Sequence, residues 1–214
     1  MITQSLFNVS AIAILTFGQF NPFQPSEVVI SSHEISLENR YAVKSVSDIF
    51  KDNILLNIAY MEGKIGKKED INWDEVKKPF TYQFRLEPGQ VFAYHDDVLE
   101  EYKQSLVKTT QAHFNGSEGF KTDGYLFGDG VCHLASLLYW VAKDAGLEAK
   151  APTNHDFMVI PEIDKEHGVS IYSNPYANGS HQMQNLYIKN NKSKAIAFKF
   201  EYNGEKLKTS VLED

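Results

Sequence analysis

Gly128-Asp-Gly-Val-Cys-His-Leu-Ala-Ser-Leu-Leu-Tyr-Trp-Val-Ala-Lys-Asp-Ala-Gly-Leu147 decides how the chain is read. Val131, Leu134, Leu138, Val141 and Ala145 recur in steps of three and four, which lines up one apolar stripe of a helix. Gly146 ends it, because glycine enters the left-handed turn after a helix at little cost. Asp129 stands where an N-cap belongs. Cys132 then falls in the first helical turn, about 100° round from the centre of the stripe. Unpaired N–H groups and the helix dipole favour an anion there, so the spacing predicts a stabilised thiolate. Gly128 and Gly130 leave room for a substrate backbone to come close.

Outward from this helix the pattern predicts an α+β fold: a single domain with the cysteine-bearing helix packed on a mostly antiparallel sheet. Phe80-Thr-Tyr-Gln-Phe-Arg-Leu86 alternates as a half-buried strand does. Pro88-Gly89 is a turn before a further extended run, Val91 to Tyr94. Ser47 to Met61 reads as helix followed by strand, and Glu62 to Lys78 as a solvated loop. Val98, Tyr102 and Leu106 predict a helix running to about His113, ended by Asn115-Gly-Ser-Glu-Gly119. Strands are predicted at Phe157 to Ile160, Val169 to Tyr172, Leu186 to Ile188 and Ile196 to Tyr202. Asn203-Gly204 predicts a closing C-terminal hairpin with those two residues at its centre, both at positive φ.

Composition bounds the function. The 214 residues carry 21 Lys+Arg against 28 Asp+Glu, a formal charge of −7. That acidic balance argues against nucleic acid as a partner, since phosphate-backbone binding draws on clustered Lys and Arg. Hydrophobic residues at 43% and aromatics at 13% supply a core. A single cysteine excludes an internal disulfide and a thiolate zinc cluster. No residue set has convincing metal-ligand spacing, and no cofactor motif is present. Residues 1–26 contain no charged side chain, and Val9 to Phe17 resembles the core of a signal peptide or short membrane anchor. The chain therefore divides into an uncharged segment (1–26), the N-terminal part of the domain (27–79) and the motif-bearing core (80–214). The membrane is expected as a partner only through the first segment.

A thiol nucleophile needs a base within hydrogen-bond reach, and the base needs a group to orient it. His155 is the candidate base, opening the apolar run that follows the helix. Asn174 is the candidate third group, with Asp164 behind it. Helix-start cysteine followed by strand histidine is the layout of papain-like and transglutaminase-like hydrolases. Candidate ligand contacts are Gly128, Asp129, Gly130, His133, Tyr125 and Tyr139, with Phe127 a further aromatic that could hold a peptide or glycan. The competing reading makes Cys132 and His155 packed or hydrogen-bonded structural residues, as free cysteine is often buried.

Three stretches together resemble the VanW family, named from an accessory protein of vancomycin-resistance clusters. Leu86-Glu-Pro-Gly-Gln-Val-Phe-Ala-Tyr94 resembles its Pro-Gly-x-x-Phe segment. Gly124 to Tyr139, with Ala145-Gly-Leu147, resembles its glycine turn, cysteine, Leu-Tyr helix and Ala-Gly-Leu ending. Asn185-Leu-Tyr-Ile-Lys-Asn-Asn191 resembles its late strand before the closing hairpin. Gly128, Gly130, Cys132, Tyr139 and His155 match the family pattern. Asp129 replaces a third glycine, His133 replaces a glutamine, and Glu166-His-Gly-Val169 replaces a Gly-Arg-Asp-Ala turn. The resemblance implies an extracytoplasmic, cell-envelope protein, secreted or membrane-anchored, with peptidoglycan or a peptide as partner. Two readings stay open: a thiol-dependent acyl-transfer enzyme, or a non-catalytic binding or structural module.

Overall fold

The computed structural model describes residues 27–124, 127–173 and 181–214. The expected leader or anchor at 1–26, together with Tyr125 and Asn174, lies outside the described residues. In chain order the elements are β1 (Val28–Ser36), α1 (Lys44–Glu62), a short α2 (Trp73–Val76), β2 (Phe80–Leu86), β3 (Val91–Ala93) and β4 (Leu106–Lys108). Then come α3 (Val131–Asp144), β5 (Glu148–Lys150), β6 (Tyr187–Lys189), β7 (Ile196–Tyr202) and β8 (Lys206–Glu213). They form an α+β domain with two four-stranded sheets where one was expected, ordered β1-β8-β7-β2 and β4-β3-β6-β5. The first sheet is antiparallel throughout, and the second contains one parallel pair, β3 with β4.

The helix α3 follows from its sequence at nearly every position. All five stripe residues are buried. Gly146 lies at φ 71°, its N–H donating to the Lys143 carbonyl, while the Leu147 N–H reaches Ala142 O at 3.0 Å. These two bonds are a Schellman closure that satisfies the last carbonyls of the helix. The start differs from expectation. Gly130 is the N-cap, at φ 99°, and no side chain caps the helix. The Asp129 carboxylate instead accepts the Asp123 N–H at 2.9 Å, closing the loop before the helix.

Most other differences come from tertiary packing overriding local pattern. Ser47 to Met61 lies within one unbroken helix, α1, in which Asp52, Asn53 and Asn57 are buried along with the apolar residues. A helix enclosed on several faces shows no single apolar stripe, which explains its irregular spacing. The expected loop at 62–78 holds α2, capped by the Asn72 side chain on the Asp74 and Glu75 N–H groups. No helix forms between Val98 and His113. Glu100–Tyr102 makes one 3₁₀ turn and Leu106–Lys108 becomes the strand β4. Val98 and Tyr102 instead cover the second sheet, with Tyr102 stacked on Tyr187 at 4.4 Å between ring centroids. Phe157 to Ile160 and Val169 to Tyr172, expected as strands, join neither sheet, and the chain bends at Phe157 and Met158.

The closing hairpin β7–β8 is present, with its turn one residue later than expected. Asn203 N–H donates to the Lys206 carbonyl, so Gly204 and Glu205 are the central pair, and only Gly204, at φ 107°, is left-handed. Asn203 contributes its side-chain oxygen, which accepts the Glu205 and Lys206 N–H groups. An asparagine turn of this kind tightens the backbone from position one without itself adopting positive φ.

Candidate functional site

Cys132 is the second residue of α3, and the segments that meet its helical start build an open cleft of about 300 Å³. Gly128, Asp129, Gly130, His133, His155 and Ile171 are among the residues that line it. Helix α1 positions this corner. The Asn53 side chain donates to the Lys121 and Asp129 carbonyls and accepts the Lys121 N–H, holding the loop that leads into α3. The Tyr94 hydroxyl lies 2.9 Å from the Val131 carbonyl and 2.8 Å from the Asn57 side-chain oxygen, fixing the first turn from beneath.

Gly128 and Gly130 are needed by the protein's own packing. A Cβ on Gly130 would stand 2.7 Å from the Phe50 carbonyl oxygen, and one on Gly128 would stand 2.8 Å from the Phe114 Cβ. Both glycines also sit at positive φ, where side chains are strained. The close backbone approach foreseen for a substrate is thus taken up by α1 and by the loop at Phe114.

The electrostatics of the thiol run opposite to the expected thiolate. Cys132 is half-buried as a residue, yet its sulfur is enclosed, and burial pushes the thiol up to about 11. The Ile171 N–H, 3.4 Å from Sγ, works against that rise, and the nearby Asp129 carboxylate adds to it. Sγ also lies 3.7 Å from the Ile171 carbonyl. Burial is the largest influence on the thiol, ahead of the backbone N–H groups that would favour an anion.

His133 is 1% exposed and His155 4%, and burial holds both imidazoles below the ordinary histidine range. Arg40 and His155 depress His133 further. Among the described residues neither ring nitrogen of His133 has a hydrogen-bond partner, and neither does Nδ1 of His155. The two rings meet edge to face at 6.3 Å, and Phe50 packs edge-on against His133 at 5.0 Å. Cys132 and His155 therefore share the cleft without a hydrogen bond between them.

The remaining candidates sit as follows. Asp129 is half-buried on the cleft wall, with its carboxyl raised above the usual range by burial. Tyr139 lies two turns further along α3, outside the cleft lining, beside His167 at 6.3 Å. Asp164, Glu166 and His167 place ligand atoms within 4.8 Å of one another at the surface, and among the described residues Cys132, His133 and His155 make no such set. Phe127, an expected binding aromatic, does line the cleft, whereas sequence reasoning missed the walls Phe50, Phe114 and Phe157, which come from separate segments. Of the three, only Phe157 is marked by its exposure, 72%, and that is a tertiary property.

The family model described as VanW like protein matches residues 81–212, well over half of the chain. No curated protein and no solved structure matches it. The matched span carries Cys132 and His155. Phe50 and Asn53 lie before it, on α1, and β1 also precedes it while pairing with β8.

Proposed function

The chain belongs to the VanW family, and on that premise we propose that it is an extracytoplasmic, cell-envelope binding module whose cleft at Cys132 holds a peptide or peptidoglycan segment. The observation that supports this reading is the neutrality of the cleft's titratable nitrogens and sulfur. Cys132, His133 and His155 are all desolvated toward their uncharged forms, and Sγ is engaged by the Ile171 backbone instead of by an imidazole. Burial pushes the Cys132 thiol up to about 11, which favours the protonated thiol at neutral pH, the opposite of a poised nucleophile. Neutral hydrogen-bonding groups among aromatic walls suit recognition of a peptide-like ligand.

The test follows the thiol. Iodoacetamide labelling of Cys132 is expected to be slow at neutral pH, to accelerate only in the alkaline range, and to be unchanged by His155→Ala. Cys132→Ser is expected to remain bound in a pull-down with purified peptidoglycan. Fast neutral labelling that disappears in His155→Ala overturns the reading.

That overturning result would favour acyl transfer, for which one observation speaks: the unpartnered Nδ1 of His155 lines the same cleft as the sulfur. Cys132 would then give its proton to His155, attack an acyl carbon, and release a leaving group that takes the proton back. The oxyanion formed in that attack would draw on the backbone N–H groups from Gly130 to Cys132. Of these three, the Val131 N–H already donates to the Gly128 carbonyl.

A further inference from the structure

We infer that the cleft at the start of α3 is a site for a primary ammonium group on an aliphatic stem, as a lysine side chain presents, with Asp129 and His133 taking the ammonium N–H donors and the aromatic walls taking the stem. This rests on the binding reading above and names the chemistry of what is bound.

The charge pattern is the first support. Among the described residues Asp129 is the one acidic side chain of the lining, and neither Lys nor Arg joins it. The nearby guanidinium of Arg40 is occupied by Glu162 at 2.7 Å and by the Pro161 carbonyl at 3.2 Å. The two imidazoles contribute no positive charge, since burial keeps them neutral. Asp129 itself is half desolvated and lies beside a second acidic residue, Asp123, whose N–H it accepts. A carboxylate so placed gains more from an incoming cation than one in open solvent does.

The walls are the second support. Phe50, Phe114, Phe127, Phe157 and Tyr172 surround the space, with Phe127 and Phe157 largely exposed at its mouth. Aromatic faces attract an ammonium group and also cover the methylene stem behind it.

The third support, His133, is independent of the acidic pair. It is almost wholly buried, lines the cleft, and leaves both ring nitrogens without a partner. A neutral imidazole has one acceptor nitrogen, and an ammonium N–H is the donor that complements it. Native interiors rarely leave a buried ring wholly unpaired unless a ligand or solvent completes it.

Calorimetric titration of the full chain with Nα-acetyl-lysine amide, and with the same probe acetylated on its ε-nitrogen, tests the inference. The free amine is expected to bind at least about tenfold more tightly. Asp129→Asn keeps an oxygen to accept the Asp123 N–H, so it retains the fold, and it is expected to erase the preference. His133→Phe is expected to weaken the amine in the same assay, with folding checked by urea denaturation. Equal binding of the two probes, binding of neither, or an unchanged preference in Asp129→Asn overturns it. If peptidoglycan is still retained when the probes bind alike, the ammonium inference fails and the binding reading stands. If peptidoglycan is not retained either, the binding reading fails with it.

Discussion

Asn185 and His133 are equally hidden from solvent, at 0% and 1% exposure, and they are treated in opposite ways. Asn185, just before β6, uses both ends of its amide. Its oxygen accepts the Tyr94 and His95 N–H groups at 2.9 and 3.2 Å, and its nitrogen donates to the His95 and Asp97 carbonyls at 3.1 Å. His133 makes no hydrogen bond through its ring. Burying a polar group costs free energy unless it is paired. The Asn185 cluster therefore closes on itself, whereas in the Cys132 cleft the ring nitrogens of His133 and Nδ1 of His155 have no partner among the described residues. The contrast separates a buried polar residue that is fully paired from one that is not.

The largest effect is expected where the pairing is complete. Asn185→Leu removes the side-chain partner of the His95 N–H and of the His95 and Asp97 carbonyls, while the Tyr94 N–H keeps the Leu186 carbonyl. It should lower the unfolding free energy by about 3 kcal/mol in urea denaturation. A near-neutral result would break the contrast by showing that the Asn185 network contributes little. Gly130→Ala comes next. It places a Cβ against the Phe50 backbone at a left-handed φ, and should cost about 2 kcal/mol by the same measurement.

His133→Phe should do the reverse of Asn185→Leu. Removing unpaired nitrogens from a desolvated place is expected to raise stability by about 1 kcal/mol while ligand binding falls, the usual exchange at a site kept for function. It should also sharpen the acid limb. Folded His133 resists a proton that the unfolded chain accepts, so wild-type stability declines as pH drops below about 6.5. The decline should be shallower in His133→Phe.

The smallest effect is expected at His113, a histidine treated as Asn185 is. Its Nδ1 meets Glu118 at 2.9 Å and its Nε2 meets Asp96 at 3.3 Å, and the Glu118 bond foremost lifts it to about 9. A raised histidine stabilises the fold below its unfolded value, about 6.5, and the contribution fades as pH climbs through about 9. His113→Gln should therefore lose roughly half a kcal/mol near pH 6, discounted for its partial exposure, and nothing near pH 10. Urea midpoints at the two pH values check this.

Local signals were legible wherever the chemistry is short-range. The α3 stripe, its Gly146 closure, the β2 alternation and the existence of the last hairpin could all be read from neighbouring residues. The 98–113 helix misread three apolar positions at helical spacing, because Val98 and Tyr102 are spaced to cover a sheet. At the site, Cys132, His133, His155 and Asp129 could be named in advance, since their residue types stand out. Their protonation could not. The helix start argued for a thiolate, and burial by α1 and the Ile171 segment reversed it.

By itself, then, the sequence determined the α+β class, the helix that carries Cys132, the residues matching the VanW pattern and the acidic, single-thiol chemistry. Tertiary structure alone decided that Gly128 and Gly130 serve the chain's own backbone, that the thiol and imidazoles rest uncharged, and that aromatic walls from four segments enclose them. The division has one physical cause. Helix periodicity and turn chemistry depend on residues a few positions apart, whereas desolvation depends on every segment that folds over a group.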